Sequence, residues 1–174
     1  MRVRGRARGL EARVSGPFRP REIFAALERH GVDYVTVGGF AVIAHGAIRA
    51  TADVDLVPNR DPANLRRLAD ALVGLEAEPD GEPETTIDAD LLARDANMRF
   101  QTSCGQVDVL SREDLAARYG ALRDRAIQAE AAGVTVTVVS RDDLIELKAA
   151  TGRDRDLLDI GDLLAVGEKR PDDP

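Results

Sequence analysis

The sequence predicts an α+β protein: a small mixed β-sheet with helices packed on it and further helices at its C-terminal end. Three observations predict this. Helical and strand periodicities alternate through the first half of the chain. Two pairs of strand-like runs flank tight turns in the second half. The stretch from Ser140 to Val166 then reads as two helices. At 174 residues, the chain is long enough for one domain with its own core.

The elements follow in order. Arg19 to His30 carries Ile23, Phe24, Ala26 and Leu27 at helical spacing, and Gly31 stops it. Asp33 to Val37 is a short apolar strand ending in Gly38-Gly39, and the apolar run to His45 is helical until Gly46. Asp53 to Val57 is a second strand. Asp61 is an N-cap with Pro62 at the first helical position of a helix that runs to Gly74. Glu76 to Glu84 is acidic, with two prolines and a glycine, and reads as an exposed loop. A short helical turn follows over Asp88 to Asp95. Met98–Ser103 and Gln106–Leu110 pair around Cys104-Gly105. Ser111 caps a helix over Glu113 to Tyr119. Arg125–Glu130 and Val134–Val139 form another hairpin. Ser140 caps a helix over Asp142 to Ala150, and Arg155 to Val166 is the last helix. The helices are expected on one face of the sheet.

Composition sets limits. No apolar run approaches the roughly 20 residues of a membrane span. Apolar content of 44% and charged content of 32% fit a soluble domain, placed here in the cytoplasm. Cys104 is the single cysteine, which excludes an intrachain disulfide and, with only His30 and His45 beside it, a Cys/His zinc cluster. Residues 1–21 hold seven arginines against Glu11, a charge of +6, within a chain of net charge −7. Residues 1–18 thus read as a basic arm, either a disordered leader or a phosphate-contacting arm for RNA. Residues 19–167 read as one domain and 168–174 as a disordered tail. Only Lys148 and Lys169 are lysines among 24 basic residues, so Lys148, inside an apolar helix, stands out.

The chemistry concentrates in three places. Alternation puts Asp53 and Asp55 on one face of their strand with Val54 on the other. Asp108 lies in a second strand that could be its neighbour. Acids are disfavoured inside strands, so three together suggest a shared cation, for which magnesium is the natural choice. Two such ions would activate an attacking hydroxyl and steady a departing pyrophosphate. The alternative is that these acids stand at strand ends, paired with Arg49 or Arg153. Gly38-Gly39 leads from a strand into a helix start, where bare N–H groups favour phosphate. Arg49 and Thr51 are read as binding phosphate or bracing the acids, with Arg49 paired to them preferred. Lys148 can snorkel to a phosphate, or else pair with Glu146 or Asp143. One of Asp156 and Asp159 is expected to point inward. His45, at a helix end beside a glycine, reads as structural.

The run GG-x13-DVD, with Arg49 and Thr51 before it, resembles the signature of the nucleotidyltransferase superfamily, and most closely the minimal AbiEii-type branch of toxin–antitoxin and phage-defence systems. Asp143-Leu-Ile-Glu-Leu-Lys148, followed by Thr151-Gly-Arg-Asp-Arg-Asp156-Leu-Leu-Asp159, resembles that branch's lysine-then-arginine-aspartate motif. The resemblance implies a polymerase-beta-like core and a magnesium-dependent transfer of a nucleoside monophosphate from an NTP such as ATP, with manganese as a substitute metal. Asp53, Asp55 and Asp108 would hold metal; Gly38, Gly39, Arg49, Lys148 and Asp159 would serve the nucleotide, and Asp156 or Asp159 would orient Lys148. The implied acceptor is the 3′ end of a transfer RNA, and the implied partner an antitoxin protein. Two departures matter: relatives often carry Gly-Ser at Gly38-Gly39, so only backbone donors remain here, and Asp108 is the least clearly matched acid. Other readings are a protein- or small-molecule-modifying transferase and an inactive nucleotide- or RNA-binding module.

Overall fold

The computed structural model describes residues 17–168. The basic arm, apart from its last two residues, and the tail beyond 168 lie outside the described residues. In chain order the elements are α1 (Pro20–Arg29), β1 (Tyr34–Val37), α2 (Gly38–Ala44), β2 (Asp53–Pro58), α3 (Pro62–Gly74), β3 (Glu78–Pro79), α4 (Ala89–Leu92), β4 (Asn97–Thr102), β5 (Gly105–Leu110), α5 (Glu113–Ala116), α6 (Tyr119–Arg125), β6 (Ile127–Ala131), β7 (Val134–Val138), α7 (Arg141–Thr151) and α8 (Asp154–Glu168). The strands form one mixed sheet in the order β3-β4-β5-β2-β1-β7-β6. Among the described residues, no helix is long and apolar enough to cross a membrane.

The middle of the sheet positions the site. β2 runs antiparallel to β1 and parallel to β5, with Asp55 opposite Val37 on one side and Asp108 on the other. Val54, Leu56, Val107 and Val109 are fully buried on the opposite face, where each such side chain contributes about 1.5–3 kcal/mol. In β2 and β5 the acids thus stand on the face opposite these four residues.

The ends of the elements obey local chemistry. Asp61 caps α3 by accepting from the backbone N–H groups of Ala63 and Asn64 at 2.8 and 3.3 Å. Asn64 is itself fully buried and ties three segments together. Its side-chain oxygen accepts from the Asp33 N–H at 2.7 Å, and its amide donates to the carbonyls of Asp33 and Asn59, each at 2.8 Å. This bond set fixes the start of β1 against the end of β2.

The structure departs from the sequence reading in four ways. The acidic loop contains a short edge strand, β3, where Glu78 and Pro79 pair with Gln101 and Phe100 of β4; an edge position tolerates the proline. The single helix expected over Glu113 to Tyr119 is two helices, α5 and α6, the second extending to Arg125. α6 has Gly120 in its first turn and buries only Leu122, so it carries little periodic signal. The hairpin turn between β4 and β5 falls on Ser103-Cys104, with Thr102 paired to Gly105. Helices also cover both faces: Val35 and Val57, on the face of Asp55, are fully buried where α6 and α5 meet β1 and β2.

Candidate active site

The turn from β1 into α2 shapes the centre of the site. Gly38 has φ +66°, a left-handed conformation that favours glycine. A side chain there would also collide with the carboxylate of Asp55. A Cβ on Gly39 would meet Arg49 Nη1 at 2.6 Å and Thr51 Oγ1 at 2.9 Å. The two glycines thus let the acids of β2 and the segment before it approach the backbone. The Gly39 N–H donates to Asp55.

Asp53 and Asp55 project on the same face of β2. Thr51 Oγ1 donates to Asp53 Oδ1 at 2.6 Å. Among the described residues, neither acid forms an ion pair. Burial pushes the Asp55 carboxyl up to about 7, and the charges of Asp53 and Asp108 add to that; the Gly39 N–H and Lys148 pull the other way. Asp55 is therefore a carboxylate short of positive charge at neutral pH.

Asp108 stands beside Asp55 in the parallel register, but its oxygens are engaged. Arg99 of β4 donates through Nε to Oδ1 at 3.1 Å and through Nη2 to Oδ2 at 3.0 Å. Gln106 donates to Oδ1 as well, at 3.1 Å. Among the described residues, no three His, Cys, Asp or Glu side chains are grouped so as to hold a metal ion. Asp53 and Asp55 are left as an oxygen pair of the kind that suits a hard divalent cation, while Asp108 is tied to Arg99.

Lys148, only 6% exposed, faces Asp55 from α7. Its Nζ donates to Asp159 Oδ2 at 2.6 Å and Asp156 Oδ1 at 3.1 Å. Thr151 Oγ1 donates to Asp156 Oδ2 at 2.6 Å. Burial alone would raise the Asp156 carboxyl; the bonds from Thr151 and Lys148 outweigh it and hold the group below its ordinary value. Asp156 and Asp159 are both inward, where only one was expected. Glu146 and Asp143, the alternative partners of Lys148, pair instead with Arg118 and Arg125.

Arg49 corrects another expectation. It does not pair with Asp53 or Asp55; its Nη1 lies 2.9 Å from Asp159 Oδ2. The loop after α2 carries it over Gly39 towards α8, away from the strand acids. The contact is close but poorly aligned, so Arg49 Nε and Nη1 are buried without a hydrogen-bond acceptor. Arg49 does not line the cleft that holds Asp55 and Lys148. Arg153 likewise pairs with Asp156, at 3.4 Å. The His45 ring hydrogen-bonds the Val139 carbonyl at 2.8 Å and is structural.

Gly38, Asp55, Asp108, Lys148 and Asp156 line one cleft of about 640 Å³, together with Arg99, Arg112 and Arg118. A groove of about 500 Å³ continues from Asp108 past Arg99 to Asp80 and Glu82. Arg99 joins the two. Sequence reasoning missed it because a turn on Cys104-Gly105 sets Gln101 across from Asp108; the observed register sets Arg99 there.

Comparison with known proteins places the family and the fold. A search of curated proteins finds no match. Among solved structures, the chain is similar to the lincosamide antibiotic adenylyltransferase LnuA bound to lincomycin, with TM-score 0.60 and 15% identity over 87% of this chain and 99% of that one. It is similar to ANT(2")-Ia in complex with adenylyl-2"-tobramycin, with TM-score 0.58 and 15% identity over 84% and 86% of the two chains. A third likeness is an antigenic nucleotidyltransferase-like protein from Paracoccidioides brasiliensis, with TM-score 0.56 and 17% identity over 87% and 78%. At these identities the structures share a fold. The family described as "Nucleotidyltransferase of unknown function (DUF6036)" matches residues 21–167, and the chain belongs to this family of nucleotidyltransferases.

Proposed function

We propose that the protein transfers a nucleoside monophosphate from an NTP to an acceptor hydroxyl. The observation that carries the reading is the convergence of Asp55, the Gly38-Gly39 turn and the buried Lys148 on one cleft. Lys148, in the wall of the cleft, binds the triphosphate, and Arg49 braces Asp159 behind it. Gly38 lets Asp55 approach the backbone at the wall of that cleft. The acceptor oxygen attacks the α-phosphorus, the bond to the β-phosphate oxygen breaks, pyrophosphate leaves and the hydroxyl proton passes to water. Magnesium, held by Asp53 and Asp55, supplies neutralising charge when bound. Rate acceleration comes from positioning and from fixed charges in a partly buried site.

For the acceptor we favour the 3′ end of a transfer RNA and, with it, a toxin role opposed by an antitoxin. The support is the two-motif resemblance and the arginine-rich stretch before Pro20. A small hydroxyl-bearing molecule is the second reading. It draws on the lincosamide and tobramycin named with similar folds, and on the Asp80–Glu82 groove beside the cleft, which suits a cationic compound.

The test incubates the full chain with labelled NTPs and magnesium, offering total RNA in one arm and a panel of aminated and neutral polyhydroxyl compounds in the other. Label on RNA that is lost in Asp55→Ala supports the leading reading. Label only on small compounds moves the acceptor to the second. No transfer in either arm refutes both.

A further inference from the structure

We infer that Arg99 occupies the place of a second metal ion, so that the chain works with one divalent cation and a built-in guanidinium. The inference rests on the nucleotidyl-transfer reading and deepens it. The sequence led us to expect three acids around two ions; the structure hands the third acid to an arginine.

Arg99 meets Asp108 in a two-pronged contact, at 3.1 and 3.0 Å, that takes one in-plane acceptor site on each oxygen. Gln106 takes a further site on Oδ1. The Asp108 side chain is 14% exposed, which leaves little room for a cation to approach from elsewhere. Asp108 also raises the proton affinity of Arg99, first through the hydrogen bonds and then through its charge, with Asp80 and Asp53 adding to the effect. A guanidinium keeps its charge at every physiological pH, and its planar fork matches a carboxylate.

The register explains why this arrangement is built in. Arg99, Asp108, Asp55 and Val37 lie in one row across four adjacent strands. The sheet therefore sets the Arg99 backbone two strands from Asp55, and Asp108 between them holds the guanidinium. Asp53 and Asp55, which have no such partner, remain for a cation that arrives with the triphosphate. Arg99 then supplies permanent positive charge beside the reacting phosphate whether or not nucleotide is present.

Metal stoichiometry decides the matter independently of turnover. Purified full-length protein is mixed with Mn²⁺ and an ATP analogue bearing a methylene between the α- and β-phosphates, and bound Mn²⁺ is counted by electron paramagnetic resonance. Wild type is expected to bind one ion per chain. Asp108→Asn is expected to bind one as well, since Asp108 ligates none. Arg99→Ala, which removes a half-exposed side chain, is expected to bind two, with its circular dichroism unchanged. Two ions in wild type, or one ion in a folded Arg99→Ala, overturns the inference. Failure of every variant to retain Mn²⁺ with the analogue overturns the nucleotidyl-transfer reading itself and takes this inference with it.

Discussion

Asp159 joins two cations that come from opposite ends of the chain: its Oδ2 lies 2.6 Å from Lys148 Nζ and 2.9 Å from Arg49 Nη1. The Asp159 side chain is 5% exposed and those of Lys148 and Arg49 are 7% and 14%, so water is a poor substitute partner for either cation. Asp159→Ala leaves Arg49 without its carboxylate and Lys148 with only Asp156, which Arg153 shares. We predict a loss of about 3–5 kcal/mol, the usual cost of breaking a buried pair from one side. Urea unfolding measures it; a loss under about 1 kcal/mol, in the range of an exposed pair, would show that the cluster is solvated.

Gly38→Ala tests the close approach at the strand-to-helix turn. The positive φ alone costs about 1–2 kcal/mol, and the new methyl displaces Asp55. Affinity for Mg-NTP should fall about tenfold or more, as read by calorimetry. Gly81→Ala is the control. Gly81 has φ +80° but open space around a Cβ, so stability should drop by a similar backbone amount while nucleotide affinity stays unchanged.

Asp143 gives a pH dependence away from the cleft acids. Arg125 donates to it at 2.9 and 2.6 Å, and these bonds hold its carboxyl below the usual value despite burial. A depressed carboxyl stabilises the fold above its unfolded value of about 3.9, and that contribution disappears as pH falls through the lower folded value. Wild type should therefore lose stability below about pH 4 more steeply than Asp143→Asn, whereas at pH 7 the variant is the weaker of the two. Parallel slopes in urea titrations from neutral to acid pH would contradict this.

Asn64→Ala removes the amide that bonds Asp33 and Asn59. It leaves buried backbone groups unsatisfied, at about 1–3 kcal/mol each. Hydrogen exchange should rise first at the Asp33 amide, which loses its acceptor; unchanged protection there would refute the assignment.

Much of this was legible in the sequence because local chemistry and global fold agree. Pro62 after Asp61 marks a helix start, and Val54 between two aspartates marks a strand with one wet face. The diglycine was legible as a strand-to-helix turn; that Gly38 also admits Asp55 closely was not, because it depends on the neighbouring strand. What escaped depends on register and on distant partners. A turn centred on Cys104-Gly105 puts Gln101 opposite Asp108; the true turn, one residue earlier, puts Arg99 there. Arg49 looked like a partner for the nearest acids, yet its ion pair lies on α8, beyond the reach of any local pattern. Asn64 is invisible for the same reason: a buried amide inside a helix has the letter of a surface residue.

The parallel pairing of β2 with β5, and the reach of α7 and α8 back to Arg49, give the molecule an all-or-nothing character during synthesis. A ribosome that has made only the first two strands has made the glycines and two carboxylates but none of the lysine that faces them. Such a fragment lacks the wall of the cleft that Lys148 and Asp156 form. Whatever the enzyme does to its target, it begins only after nearly the whole chain has emerged.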